Sequence, residues 1–255
     1  MHLLPLPALA DNYIWLLHDD SGQVVAVDPG EAAPVELALA AHGWRLRAIL
    51  VTHHHDDHIG GVAALRASHD VPVYAPADAR ITCATTRVGD RDHVRLSAPH
   101  ADFEVIAVPG HTRSHVAYYG AGVLFAGDTL FSLGCGRLFE GSPAQMLASL
   151  DRLAALPGDT QLCCAHEYTV ANGHFARTVE PDNTALAARL AEVDRLRRDR
   201  HPSLPVPLAS ELASNPFLRT DAPAVIDWCR RKNHPLADRT ARFACLRAAK
   251  DVFRA

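Results

Sequence analysis

Short apolar runs separated by turn residues fill the first two thirds of the chain. Residues 13–19 and 23–30 predict two strands joined by a turn. Residues 34–44 carry apolar side chains at helical spacing and end near a glycine, which predicts a helix. Residues 47–53 predict a strand, and residues 58–70 predict a second helix. Further strands are predicted over 71–76, 103–110, 116–120, 122–128 and 160–166.

The predicted strands are nearly continuous apolar runs, so we expect both faces of the sheets to be covered, with helices on both sides. After about residue 170 the pattern changes to amphipathic helices. The predicted helices there are 183–200, with Asn183 as its N-cap, 222–232 and 238–253. We therefore predict one domain over residues 1–170 and a small helical domain over residues 171–255.

Composition indicates an ordinary globular protein, because 48% of the 255 residues are hydrophobic and 21% are charged. The N-terminal segment lacks the basic stretch of a signal peptide, and no window is long and apolar enough to span a membrane. We therefore expect a cytoplasmic protein with no membrane partner. The six cysteines lack metal-binding spacing and are expected to be reduced. Cys163 and Cys164 are predicted to be buried in a strand.

The formal charge is unevenly distributed along the chain. Residues 1–170 carry −9 and residues 171–255 carry +5, which together give −4. A basic region beside an acidic body is consistent with an anionic partner, but solvated helix faces give the same count. Charge alone favours the solvated faces.

Seven nitrogen and carboxylate donors stand in four short segments, each placed just past a predicted strand. The donors are His53, His55, Asp57, His58, His111, Asp128 and His166. Imidazole and carboxylate groups are ligands that suit zinc, iron and manganese. Seven donors are too many for one tetrahedral metal, but they suit two metals if one carboxylate bridges them. Such a centre with a trapped hydroxide is typical of hydrolases.

The spacing between residues 53 and 58 indicates how the first four donors divide. In a tight turn after a strand, His53 and His55 can face one metal, and Asp57 and His58 can face a second. His54 falls between them and is expected to pack or to support the ligands. An exposed histidine-rich loop that scavenges metals would give the same cluster, but it would not account for the three donors downstream.

These motifs resemble the metallo-β-lactamase superfamily, whose pattern His-x-His-x-Asp-His is followed by His, Asp and His in the order found here. Within it, the chain is similar to the hydroxyacylglutathione hydrolase (glyoxalase II) family. The narrower resemblance rests on DNYIWLL at 11–17, THHHDDHIGG at 52–61, PGHT at 109–112, GDTLFSLGCGRLFEG at 127–141, HEYT at 166–169, NPFLR at 215–219 and the C-terminal Arg247-x-x-Lys250-Asp251.

The resemblance implies an α+β fold, a four-layer αββα sandwich with a small C-terminal helical domain that binds glutathione. It implies that one metal is held by His53, His55 and His111, the other by Asp57, His58 and His166, and that Asp128 bridges them. The cofactors would be two divalent ions, zinc first, with iron or manganese compatible with the same donors. The family's glutathione contacts correspond to Arg137, Tyr168, Arg247 and Lys250.

The chain departs from the family pattern at two positions. Residue 139 is Phe where many members have a Tyr whose hydroxyl contacts glutathione, and residue 56 is an additional Asp beside the metal ligands. Loss of the hydroxyl should cost about 0.5–1.5 kcal/mol of binding free energy. The departure at Phe139 therefore concerns affinity for the thiol carrier rather than the reaction.

The resemblance implies a thioester hydrolase that converts S-(R)-lactoylglutathione and other 2-hydroxyacylglutathiones to glutathione and D-lactate, and so removes methylglyoxal. A metal-bridging hydroxide would attack, with Asp57 and Asp128 as the catalytic side chains. Because a thiolate leaves without much protonation, no dedicated general acid is expected. We expect a monomer that binds no nucleic acid. The alternatives are a lactonase or nuclease of the same fold, and a non-catalytic metal-binding module.

Overall fold

The computed structural model describes residues 1–232 and 238–254. The strands are β1 (His2–Ala8), β2 (Asn12–His18), β3 (Gln23–Val27), β4 (Arg45–Leu50), β5 (Val73–Pro76), β6 (Thr86–Val88), β7 (His93–Ser97), β8 (His100–Ala107), β9 (Val116–Gly120), β10 (Val123–Gly127), β11 (Leu130–Phe131), β12 (Gly134–Cys135), β13 (Gln161–Cys164) and β14 (Val206–Pro207). The helices are α1 (Ala33–His42), α2 (Asp56–Ile59), α3 (Val62–His69), α4 (Pro143–Ala154), α5 (Thr169–Val179), α6 (Thr184–Arg198), α7 (Leu208–Ser214), α8 (Pro223–Arg231) and α9 (Arg239–Val252).

The chain forms two compact units, each assembled from separate segments. The first unit consists of Met1–Ala107, Ser114–Gly127 and Cys163–His166. The second consists of Val108–Arg113, Asp128–Leu162 and the described residues of Glu167–Ala255. The predicted division of the chain at residue 170 stays a prediction.

The first unit contains a mixed sheet in the order β1-β2-β3-β4-β5-β6. Strands β1, β2 and β3 pair antiparallel, and β3 through β6 pair parallel. The predicted hairpin of β2 and β3 is therefore confirmed. Helices α1 and α3 bury Val35, Leu39, Val62 and Leu65 in a core shared with this sheet. Helix α1 ends at Gly43, as predicted, in a left-handed conformation (φ 66°).

A second sheet in the first unit contains β7, β8, β9 and β10 as antiparallel neighbours, followed by the end of β13. Two buried side chains link it to the first sheet. The Trp15 indole donates to the Cys164 carbonyl at 2.9 Å, and the Tyr118 hydroxyl donates to the Val51 carbonyl at 2.9 Å. Cys163 and Cys164 are buried in β13, as predicted.

The structure differs from the predicted elements of the first unit in one helix and in one additional strand. The single helix expected over 58–70 is two helices, α2 and α3, because Gly60 and Gly61 lie against backbone. A Cβ at Gly61 would lie 2.4 Å from the Glu31 carbonyl carbon. The sequence pattern does not predict strand β1, because Pro5 and Pro7 interrupt its apolar run. It lies at the edge of the sheet, where a missing backbone N–H is tolerated.

The second unit is mainly helical, with the hairpin of β11 and β12 and the pairing of β13 with β14. The predicted helices α6, α8 and α9 are confirmed, and the Asn183 side chain caps α6 by accepting from Leu186 N at 3.1 Å. Aromatic rings of Phe175, Phe217 and Phe243 are fully buried in this unit. Among the described residues, no helix is both long and apolar enough to cross a membrane.

Candidate metal centre and substrate pocket

The turn after β4 and the short helix α2 that follows it carry four of the predicted donors. The chain leaves β4 at Leu50, and His55 takes an extended conformation (φ −64°, ψ 146°) before α2 begins. The start of α2 packs against Gly30, where a Cβ would lie 2.1 Å from the Asp57 carbonyl oxygen. Glycine at this position therefore allows the donor-bearing turn to lie directly on the preceding loop.

His53 and His55 present adjacent ring nitrogens. Nε2 of His53 lies 3.1 Å from Nδ1 of His55, while Nδ1 of His53 lies 3.0 Å from the Thr52 hydroxyl. Two ligands of one tetrahedral zinc lie about 3.3 Å apart at ordinary zinc–nitrogen distances. The pair is therefore spaced as ligands of a single metal. The ring of His115 stacks on His53 at a centroid distance of 4.6 Å.

Asp57, His58 and His166 form a second group in the first unit. The Oδ2 atom of Asp57 lies 3.5 Å from Nε2 of His58 and 3.4 Å from Nε2 of His166. One ligand atom from each residue falls within 4.8 Å of the other two. Both histidines are buried, and Asp57 is partly exposed. Two imidazoles and a carboxylate fit a zinc-type or iron-type ion.

Three further side chains orient this group, and the sequence interpretation gave them no role. Nδ1 of His58 lies 3.0 Å from Asp28 Oδ2, and Nδ1 of His166 lies 2.7 Å from Asp11 Oδ1. Asn12 donates to Asp57 Oδ2 at 3.0 Å. A carboxylate on one ring nitrogen fixes the tautomer and directs the other nitrogen toward a metal. Asp11 and Asn12 belong to the DNY motif, but nothing in the sequence around Asp28 signals its contact with His58.

In the second unit, His111 and Asp128 lie together. Nε2 of His111 lies 3.3 Å from Asp128 Oδ2, and its Nδ1 donates to the Arg137 carbonyl at 2.9 Å. Both side chains are buried. The pattern is the same as at His58, since one ring nitrogen is held by an oxygen and the other faces a carboxylate. These two residues therefore present a donor pair of the type expected for a metal.

A cavity of about 430 Å³ in the second unit is bordered by this donor pair and by all four predicted substrate contacts. Its lining includes His111, Asp128, Arg137, Tyr168, Arg247 and Lys250, with the aromatic rings of Phe131, Phe139 and Phe253. Its volume is that of a small-molecule site. A pocket with three cations and several aromatic rings suits a ligand that carries carboxylates.

The two cations of α9 that line the cavity are held differently. Arg247 is buried: its Nη1 donates to the Cys135 carbonyl at 2.7 Å, and its Nη2 lies 2.9 Å from Asp251 Oδ1. Lys250 lies with Nζ 3.4 Å from the Ala171 carbonyl. Burial lowers the pKa of Lys250, and the nearby Arg247 and Arg137 lower it further. A ligand carboxylate beside Lys250 would therefore stabilise the charged form of its side chain.

Three other residues of the pocket lie nearer the surface, namely Arg137, Tyr168 and Phe139. Arg137 lies 3.7 Å from Asp251 and has 59% of its side chain exposed. Tyr168 precedes α5 and packs its ring edge-on against Phe131 at 5.3 Å. Phe139 is 63% exposed, with its ring 5.1 Å from that of His111. Cys135 is buried, and burial raises the pKa of its thiol to about 11, which agrees with a structural rather than a nucleophilic role.

Two family models together match nearly the whole chain. The model described as metallo-beta-lactamase superfamily matches residues 10–166, and the model described as hydroxyacylglutathione hydrolase C-terminus matches residues 167–253. Among curated proteins, the hydroxyacylglutathione hydrolase of Stenotrophomonas maltophilia (strain R551-3) is 54% identical over the full length of both chains. That of Cupriavidus taiwanensis is 53% identical and covers 98% of each chain.

Solved structures give the same picture of the fold. The BLEG-1 B3 metallo-beta-lactamase has a TM-score of 0.63 at 25% identity and covers 85% of this chain and 98% of its own. ETHE1 from Myxococcus xanthus has a TM-score of 0.60 at 27% identity, with coverages of 86% and 99%. TTHA1623, described in a di-iron-bound form, has a TM-score of 0.53 at 32% identity, with coverages of 65% and 92%. The predicted α+β metallo-β-lactamase fold with a helical C-terminal region is confirmed.

Proposed function

This chain belongs to the hydroxyacylglutathione hydrolase family of the metallo-β-lactamase superfamily, and we propose from that membership that it hydrolyses S-(R)-lactoylglutathione to D-lactate and glutathione. Other 2-hydroxyacylglutathiones would be cleaved by the same route. The observation that carries the proposal is the cavity of the second unit. Two predicted metal ligands, His111 and Asp128, line it together with Lys250, a predicted substrate contact. Hydrolytic chemistry and recognition of a carboxylate-bearing substrate therefore share one pocket.

We propose that the seven donors bind two divalent metals in the division that the family pattern implies. His53, His55 and His111 would bind one metal, Asp57, His58 and His166 the other, and Asp128 both. The 3.1 Å spacing of the His53 and His55 nitrogens supports the first group, and the convergence of Asp57, His58 and His166 supports the second. A relative described in a di-iron-bound form supports the number of metals. Zinc is the proposed occupant, with iron or manganese compatible.

Bound divalent metals supply a water of lowered pKa and a Lewis acid for the thioester carbonyl. The protein residues keep the donors in the correct state for that chemistry. Asn12 fixes the Asp57 carboxylate, while Asp28 and Asp11 hold the protons on Nδ1 of His58 and His166. A thiolate leaves at neutral pH without a dedicated acid, so the pocket requires no further proton donor.

Recognition of the thiol carrier is proposed to depend on Lys250, Arg137, Tyr168 and Arg247. A glutathione carboxylate that replaces water at Lys250 forms a charge-assisted hydrogen bond. The aromatic side chains around it exclude water from the thioester. We propose that residues 171–255 form the glutathione-binding domain beside a catalytic domain of residues 1–170, in a cytoplasmic monomer.

A substrate panel tests this function. The metal-loaded protein should cleave S-lactoylglutathione much faster than a homoserine lactone, a β-lactam or a nucleotide diester. A faster rate on the lactone or the diester would instead favour another hydrolase of the superfamily. Tight metal binding with no turnover of any of them would indicate a binding module.

A further inference from the structure

A segment of three residues, Cys135–Arg137, connects the substrate pocket to a predicted metal ligand within the second unit. At one end, the Cys135 carbonyl accepts a hydrogen bond of 2.7 Å from Arg247 on α9. At the other end, the Arg137 carbonyl accepts a hydrogen bond of 2.9 Å from Nδ1 of His111. One residue, Gly136, separates these two carbonyls in the chain, so they cannot move independently.

Close packing around Gly136 restricts the movement of this segment. Its N–H donates to the Thr129 carbonyl at 3.1 Å. A Cβ at Gly136 would lie 1.9 Å from the Asp128 carbonyl oxygen and 3.3 Å from Nδ1 of His111. The segment therefore lies directly on the backbone of one predicted ligand and against the ring of another. A displacement of Cys135 would be transmitted to both.

Arg247 is a fixed point for this segment. Its Nε and Nη2 atoms lie 3.1 and 2.9 Å from Asp251, and its guanidinium carbon lies 5.3 Å from the ring centroid of Phe217. The side chain is only 7% exposed. A charged donor that is held on three sides can fix the Cys135 carbonyl more firmly than a solvent-exposed side chain could.

His111 depends on the other end of the segment. The Arg137 carbonyl keeps the proton on Nδ1, which leaves the Nε2 lone pair available for a metal, and Nε2 faces Asp128 at 3.3 Å. If the segment shifts, the hydrogen bond that fixes both the tautomer and the orientation of the His111 ring is lost. Metal affinity at His111 should therefore follow the position of the Arg137 carbonyl.

We propose that Arg247 is a positioning residue for His111, and that it sets the affinity of the metal bound there as well as shaping the substrate pocket. The inference rests on the proposed function only in that His111 is taken as a metal ligand. It differs from a role in substrate binding alone, which would affect only the Michaelis constant for carboxylate-bearing substrates.

The matched variants are Arg247→Met and Lys250→Met. Both remove a cation from α9 and from the same cavity, but only the first removes the hydrogen bond to Cys135. Zinc affinity is measured on the metal-free proteins by competition with a chromophoric chelator. We expect Arg247→Met to bind one of two zinc equivalents about tenfold more weakly, since groups behind a ligand typically contribute a factor of 10–100. Lys250→Met should bind zinc as the wild type does.

Kinetics provide a second readout. For Arg247→Met, kcat at limiting zinc should fall and recover when zinc is in excess, while KM stays raised. For Lys250→Met, only KM should change, whatever the zinc concentration. Circular dichroism and thermal unfolding verify that the variants fold. If Arg247→Met does not fold, Arg247→Gln keeps a polar side chain that ends short of the Cys135 carbonyl, and the same loss of zinc affinity is expected from it.

Wild-type zinc affinity in a folded Arg247 variant would overturn the proposal, as would equal losses in the Arg247 and Lys250 variants. The zinc measurement uses no substrate. Failure of the wild-type protein to cleave S-lactoylglutathione would therefore count against the proposed function and leave the comparison of zinc affinities valid.

Discussion

The Asp28 carboxylate lies 3.0 Å from Nδ1 of His58, thirty residues further along the chain. Its two oxygens also accept from the backbone N–H and the hydroxyl of Thr52, each at 2.7 Å, and that hydroxyl lies 3.0 Å from Nδ1 of His53. One buried carboxylate therefore orients ligands from both proposed metal groups, His58 directly and His53 through Thr52.

Replacement of Asp28 by Asn should weaken metal binding. An amide keeps the size of the carboxylate, but it brings an NH2 group against the N–H donors of Thr52 or His58. Asp28 has a positive φ of 51°, which Asn tolerates well, so the backbone should not be strained. We expect zinc affinity to fall about 10-fold to 100-fold, measured by chelator competition. Asp20→Asn, at a side chain that is 94% exposed, is the control. Unchanged affinity in Asp28→Asn would show that Asp28 does not support the metals.

Phe139→Tyr should improve binding of glutathione thioesters. The ring lies at the exposed edge of the cavity, where a hydroxyl could reach the thiol carrier without a desolvation penalty. A new hydrogen bond of about 0.5–1.5 kcal/mol would lower KM by about 2-fold to 10-fold, with kcat little changed. Phe139→Leu, which adds no hydroxyl, should not lower KM. A KM that stays the same or rises in Phe139→Tyr would mean that this edge does not contact the carrier.

The ionised carboxyl of Asp78 is expected to stabilise the fold in a pH-dependent way. Hydrogen bonds from Arg80 and then from Ser114 hold the pKa of this buried carboxyl well below its usual range, despite desolvation. Since the folded-state pKa is depressed, the stabilisation is complete above the unfolded pKa of about 3.9 and is lost as the pH falls below it.

We therefore expect Asp78→Asn to lower the free energy of unfolding by about 2 kcal/mol at pH 7, since hydrogen bonds to a charged group are removed. The difference in the free energy of unfolding between Asp78→Asn and the wild type should shrink as the pH falls below 4. Urea unfolding of both metal-free proteins from pH 7 to pH 3.5 measures it. A difference that is constant over this range would show that ionisation of Asp78 does not stabilise the fold.

Several elements defined by local periodicity could be predicted from the sequence. The hairpin of β2 and β3, the capped helix α6 and the final helix α9 all follow from apolar spacing and end signals within the element itself. The predicted donors also lie where strands end, as at Asp128 directly after β10. The break between α2 and α3 was missed because close approach of distant backbone, rather than helix propensity, places Gly60 and Gly61.

The supporting contacts of the site could not be predicted in the same way. Asp11 meets His166 from 155 residues away, and Arg247 meets Cys135 from 112 residues away. Neither pair leaves a periodic signal, and a carboxylate such as Asp28 in a turn resembles any other turn residue. The family resemblance implies that Arg247 is a substrate contact, but its hydrogen bond to Cys135, in the segment that holds His111, emerges only from the fold.

Thioester cleavage as a function of bound metal is the decisive test of the proposed metal-dependent hydrolysis. Metal-free wild-type protein is titrated with zinc while cleavage of S-lactoylglutathione is followed. We expect negligible cleavage without metal, a plateau at two zinc equivalents per chain, and no recovery in His55→Ala or Asp128→Ala. Full thioester cleavage by the metal-free protein, or no cleavage by the fully loaded protein, would contradict it.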